Sequence, residues 1–145
     1  MQRPFTSAAL ALAIGLASTA ALAAPTEKQQ NGIAYVNGGV GQEEQTAMRA
    51  MRADYNLQLT FANAQSGEYR SDVRVDIMDA KGASLLSAAN AGPMFFAKLQ
   101  PGTYRISAAA QDKTFKRTVK VGGAPKAMTL HWDKDSQEDP GEAAQ

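Results

Sequence analysis

From residue 55 onward the chain repeatedly alternates apolar and polar positions. Tyr55, Leu57, Leu59 and Phe61 interleave with Asn56, Gln58, Thr60 and Ala62, a period of two that predicts a strand with one face on a core. Val73, Val75 and Ile77 interleave with Arg74, Asp76 and Met78 in the same way. Further inward sets are Tyr104, Ile106 and Ala108; then Phe115, Val119 and Val121; then Met128, Leu130 and Trp132. Weaker strands are predicted over 33–36, 83–88 and 94–99. Turn formers separate them: Ser66-Gly67, Asn90-Ala91-Gly92-Pro93, Gln100-Pro101-Gly102 and Gly122-Gly123-Ala124-Pro125. Asp79-Ala80-Lys81-Gly82 reads as a hairpin loop, with Gly82 in the left-handed position that commonly ends one.

One segment breaks the pattern. Residues 42–53 place Ala47, Met48 and Met51 on one face at helical spacing. Glu43 and Glu44 lie in the first turn and Arg49 and Arg52 in the last, each sign matching the helix dipole. Gly38, Gly39 and Gly41 ahead of it lack the spacing of a phosphate loop, and the two glutamates would repel phosphate. They read as a strand-to-helix turn. The methionines read as packing. The fold this predicts is mainly β: a seven- to eight-stranded antiparallel β-sandwich of the immunoglobulin-like kind, with one N-terminal α-helix at 42–53. Arg117 shares parity with Phe115 and Val119 and should face inward, which calls for an edge position, a bulge or a charge partner.

The first 23 residues follow a different logic. Arg3 precedes an apolar run from Ala8 to Ala23, broken only by Gly15, Ser18 and Thr19, and Ala21-Leu22-Ala23 forms a small-x-small site. This is the pattern of a signal peptide cleaved after Ala23. It implies a periplasmic or secreted protein that does not span the membrane once cleaved. Residues 24–31 are polar and read as a flexible leader, 32–132 as the sandwich domain, and 133–145 as a disordered acidic tail.

Composition narrows the chemistry. The chain has 145 residues, no Cys, one His and a formal net charge of +1. Disulfides, thiol catalysis and multi-histidine metal sites are excluded. His131 is the single imidazole, has no Gly-x-Ser-x-Gly partner, and reads as a surface strand residue. The acidic tail fails the calcium-loop pattern at its fifth and sixth positions, Gln137 and Glu138. No catalytic residue, cofactor site or metal site is predicted, and no nucleic acid is expected as a partner. The near-neutral total hides an uneven distribution, −2 over 24–97, +6 over 98–132 and −4 over 133–145. If 103–109 and 114–121 form a hairpin, Arg105, Lys116 and Lys120 share its outward face. They would form a docking surface for an anionic envelope partner, a protein or a surface component, which the adjacent acidic tail could screen. Lysines on an edge hairpin also discourage aggregation.

The stretch from Val73 to Trp132 resembles the carboxypeptidase regulatory-like domain, one of the transthyretin-like (prealbumin-like) sandwiches. The matching residues are Val73-Arg74-Val75-Asp76-Ile77, the Asp79–Gly82 turn, and Phe95-Phe96 leading into Leu99-Gln100-Pro101-Gly102-Thr103-Tyr104. In this motif Pro101 fixes φ, Gly102 permits a left-handed turn, and Tyr104 presents its ring to the core. The resemblance implies a binding, structural or folding-assistance module without catalysis. The histidine-dependent hydrolases among the transthyretin-like proteins are not matched by a chain with one His. Two rivals remain: a small hydrolase with a dispersed site, and a small-ligand or glycan binder using Tyr35, Tyr69 or Trp132 as an exposed aromatic platform.

Overall fold

The computed structural model describes residues 25–111 and 113–132. The expected signal peptide and acidic tail lie outside them. The alternating segments become strands β3 (Leu57–Asn63), β4 (Val73–Asp79), β5 (Ser84–Ala91), β6 (Met94–Ala97), β7 (Gly102–Ala110), β8 (Lys113–Val121) and β9 (Lys126–Trp132), preceded by β1 (Lys28–Gln30) and β2 (Ile33–Gly38). They form two sheets ordered β1-β2-β6-β3-β9 and β5-β4-β7-β8. The chain is a mainly β sandwich, with nine strands among the described residues, one or two more than the pattern predicted.

The inward residues of both sheets make one core. Leu57, Leu59 and Phe61 of β3 meet Val73, Val75 and Ile77 of β4, and Ile106, Phe115 and Val119 lie in the same cluster. Trp132 is wedged edge-on against Phe61 (5.7 Å) and Phe115 (4.7 Å) and so joins the two sheets near the β8 and β9 edges. Arg117 does face inward. It is half-buried on β8, the edge strand of its sheet, with its guanidinium 5.3 Å from the Phe115 ring centroid and donating to the Lys116 carbonyl. An edge position lets the charged head reach the rim while its stem covers apolar surface.

Three features differ from the sequence prediction. The sheets are not wholly antiparallel, because β9 runs parallel to β3, with Leu57 opposite Lys126 and Asn63 opposite Trp132. Short turns suggested hairpins throughout, but the connections after β3, β5, β6 and β8 cross between sheets, and a crossing strand takes whichever direction its place in the sheet requires. The expected leader contains β1, which pairs with β2 across Asn31 (φ 50°) and Gly32 (φ 76°). Positive φ at both centre positions is the geometry of a tight two-residue hairpin, for which Asn-Gly is the favoured pair. Gly102 is not in the left-handed region. It opens β7 opposite Val121, and the reversal before it is held by Asn56, whose side chain accepts from Leu99 N–H (2.8 Å) and donates to the Leu99 carbonyl (2.5 Å). Tyr104 does enter the core, and its hydroxyl donates back to the Gln100 carbonyl at 2.6 Å, a bond that ties strand start to corner.

The helix forms a third layer. Helix α1 (Gln42–Met51) and a 3₁₀ turn (Arg52–Asp54) cover the outer face of β2 and β6. Met48, Tyr55, Val36, Met94 and Phe96 form a second apolar cluster there. β6 reads Met-Phe-Phe-Ala without alternation and is buried on both faces, as an apolar run without polar alternation requires. Gly39 (φ 100°) and Gly41 (φ 84°) make the expected turn into α1, and the Glu44 carboxylate accepts from Gly39 N–H at 2.9 Å. None of the helices among the described residues is long and apolar enough to cross a membrane.

Candidate functional site

The predicted basic face exists, but it is smaller than the basic run. β7 and β8 pair as a hairpin with Arg105 opposite Thr118, Ser107 opposite Lys116 and Thr103 opposite Lys120. Lys116 and Lys120 therefore flank Thr118 and lie diagonal to Arg105, on the side of the sheet away from the core. Diagonal neighbours in such a pair are about 7–8 Å apart. All three are exposed, and among the described residues none takes part in an ion pair. Hydroxyls of Thr103, Thr118 and the half-buried Ser107 fill the intervening positions. The remaining cations of the run go elsewhere. Lys98 pairs with Glu27 at 3.6 Å, Lys113 lies over the Phe115 ring at 4.5 Å, Arg117 faces inward, and Lys126 belongs to the other sheet.

The aromatic platform is not present. Tyr35 is buried and stacked on Phe95 at 5.6 Å, and Trp132 is buried between Phe61 and Phe115. Tyr69 alone is accessible, at 40 %. His131 is exposed on β9 opposite Ala62.

A second feature has no counterpart in the sequence reading. On the outer face of the five-stranded sheet, the end of α1 and its 3₁₀ turn stand beside strands β6, β3 and β9 and leave a cleft of about 150 Å³. Its floor comes from Thr60 of β3, Met94 and Phe96 of β6, and Ala127 and Thr129 of β9. Thr60 and Thr129 are register partners, so their hydroxyls lie side by side. Arg49 and Arg52 line the cleft from α1 and the 3₁₀ turn, and Tyr69 lines it from the loop after β3. That loop folds back along β3, with Asn63 N–H donating to Glu68 and Arg70 N–H to Phe61. Extended backbone sends consecutive side chains to opposite faces. Tyr69 thus reaches the cleft, while Arg70 lies over the Trp132 ring at 5.6 Å.

Gln58 organises this site. It is 6 % exposed and is the one buried polar or charged residue among the described residues. Its amide nitrogen donates to the carbonyls of Arg52 (2.9 Å) and Tyr55 (3.1 Å), and its oxygen accepts from Arg52 Nε at 2.5 Å. Arg49 donates through one terminal nitrogen to the Tyr69 hydroxyl at 3.0 Å. Nearby, Tyr55 donates to the Glu27 carboxylate, with Lys98 5.1 Å over the Tyr55 ring. Burial and then this bond raise the Tyr55 hydroxyl well above its ordinary value, while the bond from Tyr55 and the Lys98 charge hold Glu27 below its own. The cluster anchors the segment before β1 to the face carrying α1.

Sequence reasoning read Arg49 and Arg52 as dipole partners and Gln58 as a solvent-side strand residue. No local pattern places the end of α1 and its 3₁₀ turn beside β3. Tyr69 was visible only as an aromatic.

No family model, curated protein or solved structure matches the chain.

Proposed function

We propose that the protein is an exported, non-enzymatic sandwich module that binds an acidic protein partner in the cell envelope through the outer face of β7 and β8. The observation that carries this is the convergence of Arg105, Lys116 and Lys120 on one exposed strand face, without an ion-pair partner among the described residues. Exposed like charges repel, and an anionic surface relieves that repulsion while steering encounter. The N-terminal signal pattern supports the compartment. The resemblance of residues 73–132 to carboxypeptidase regulatory-like domains supports a binding role.

The test is Lys116→Glu with Lys120→Glu, compared with the unaltered protein in envelope crosslinking. Both side chains are exposed, so the fold should persist and the melting temperature should change little. The acidic partner's crosslink should be lost, and in the unaltered protein it should weaken as salt rises toward 1 M, where the Debye length falls to about 3 Å. A crosslink that survives charge reversal overturns the reading. So does binding to protein-free anionic vesicles that matches binding to the envelope fraction.

A further inference from the structure

We infer that the cleft beside α1 is a binding site for a small monocarboxylate with an apolar body. It lies on the opposite sheet from the basic hairpin face and does not depend on it.

Arg49 and Arg52 are three residues apart and so lie on one side of the helical segment. Like charges at this spacing repel. The helix C-terminus compensates in part, but no carboxylate does: none lines the cleft, and among the described residues neither arginine has an acidic partner. Both guanidinium groups are nevertheless held in place. Gln58, itself fixed by two backbone carbonyls, engages Arg52 through Nε and leaves the two terminal nitrogens to form a fork. Tyr69 engages one terminal nitrogen of Arg49. A fork oriented in advance is the geometry for bidentate recognition of a carboxylate, and little further side-chain entropy is lost on binding.

The rest of the cleft sets the ligand's other end. The exposed Ala127 and the Tyr69 ring, 40 % accessible, supply an apolar floor next to the arginines, above the buried Met94 and Phe96, and Thr60 and Thr129 supply hydroxyls at its margin. A free inorganic anion would use the guanidinium groups and leave that floor wet. An apolar body would cover it and displace poorly bound water. A cavity of about 150 Å³ takes a benzene-sized guest, so a ring or short chain carrying one carboxylate matches both the charge and the volume. With no carboxylate, imidazole or thiol in its lining, the cleft has the groups for holding such a ligand.

The experiment titrates the full chain with benzoate and follows backbone amide resonances. Saturable shifts should centre on Gln58, Thr60, Tyr69 and Thr129. Benzamide, which keeps the ring and removes the charge, should bind at least about tenfold more weakly, as should Arg52→Gln toward benzoate. Because Arg52→Gln also disturbs Gln58, Ala127→Phe is the companion variant: it keeps both arginines, fills the exposed side of the floor, and should abolish the shifts. Lys116→Glu with Lys120→Glu should leave benzoate binding unchanged. Four results would overturn the assignment: no saturable shift, benzamide binding as well as benzoate, inorganic phosphate binding more tightly than benzoate, or equal weakening by the β8 charge reversal.

Discussion

Replacing Gln58 with Leu tests whether this one buried amide holds the helical layer onto the sheet. The side chain makes three hydrogen bonds at 6 % exposure. Losing the bond to the Tyr55 carbonyl strips a buried acceptor of its side-chain partner, a penalty of about 1–3 kcal/mol. The Arg52 carbonyl still accepts from Tyr55 N–H at 3.2 Å, so its loss is about 0.5–1 kcal/mol. Arg52 Nε can turn to water at little cost. Against these losses, leucine gains about 1 kcal/mol from the extra apolar surface it buries. The net expectation is a destabilisation of about 2 kcal/mol. With a urea m-value of about 1.5 kcal/mol per M, the midpoint falls by about 1.3 M. Equilibrium urea unfolding, followed by far-ultraviolet circular dichroism and Trp132 fluorescence, measures it. If Gln58→Leu unfolds at the unaltered midpoint or above it, the amide is not what secures the α1 layer. Arg52 would then not be held in advance for a ligand.

Other outcomes follow from single contacts. A Cβ on Gly92 would lie 2.7 Å from the Gly38 carbonyl oxygen and 2.9 Å from its Cα; because the obstruction is backbone, Gly92→Ala should lower stability by about 1–3 kcal/mol in the same urea assay. Gln111 turns the β7–β8 hairpin at φ 52°, and Gln111→Gly should raise stability by about 0.5–1 kcal/mol by removing left-handed strain from a residue with a Cβ. Glu27 is held below its ordinary value of 4.5, first by the bond from Tyr55 and also by Lys98. Its anchoring is therefore complete above that ordinary value and is lost as pH falls through the lowered folded one. Amide exchange over residues 27–30 should quicken in that acid window, and Glu27→Gln should remove the pH dependence.

Much of the fold was legible in the chain, for local reasons. The inward sets of β4, β7 and β8 are those the period-two pattern marks, because a strand with one wet face has to alternate; β3 keeps its predicted inward set although Gln58 and Ala62 on its other face are buried too. Asp79–Gly82 closes as expected, with Gly82 at φ 87° and the Asp79 carboxylate accepting from the amides of Lys81 and Ala83. The Asn31-Gly32 hairpin was equally legible, although the polar residues around it suggested a leader. Those polar residues have tertiary uses: the Gln30 amide pairs with the Ser87 backbone, donating at 2.8 Å and accepting at 2.9 Å, and Asn31 donates to the Leu85 carbonyl. Together they join the β1 edge of one sheet to β5 of the other. No local pattern carries such a bond across more than fifty residues.

The basic face and the cleft divide along the same line. Arg105, Lys116 and Lys120 could be placed together from sequence, because period-two alternation puts them on the side opposite Tyr104, Ile106, Phe115 and Val119. The cleft could not. Arg49, Gln58, Tyr69, Met94 and Thr129 meet only because α1 and its 3₁₀ turn lie over β2 and β6 and end beside β3, and because β9 runs parallel to β3. Both facts come from long-range packing of surfaces whose local patterns fit several partners. Local alternation and turn chemistry settle which residues face inward and which short turns close. Long-range packing sets which strands become neighbours, in which direction, and therefore where two arginines, without an acidic partner among the described residues, line one cleft.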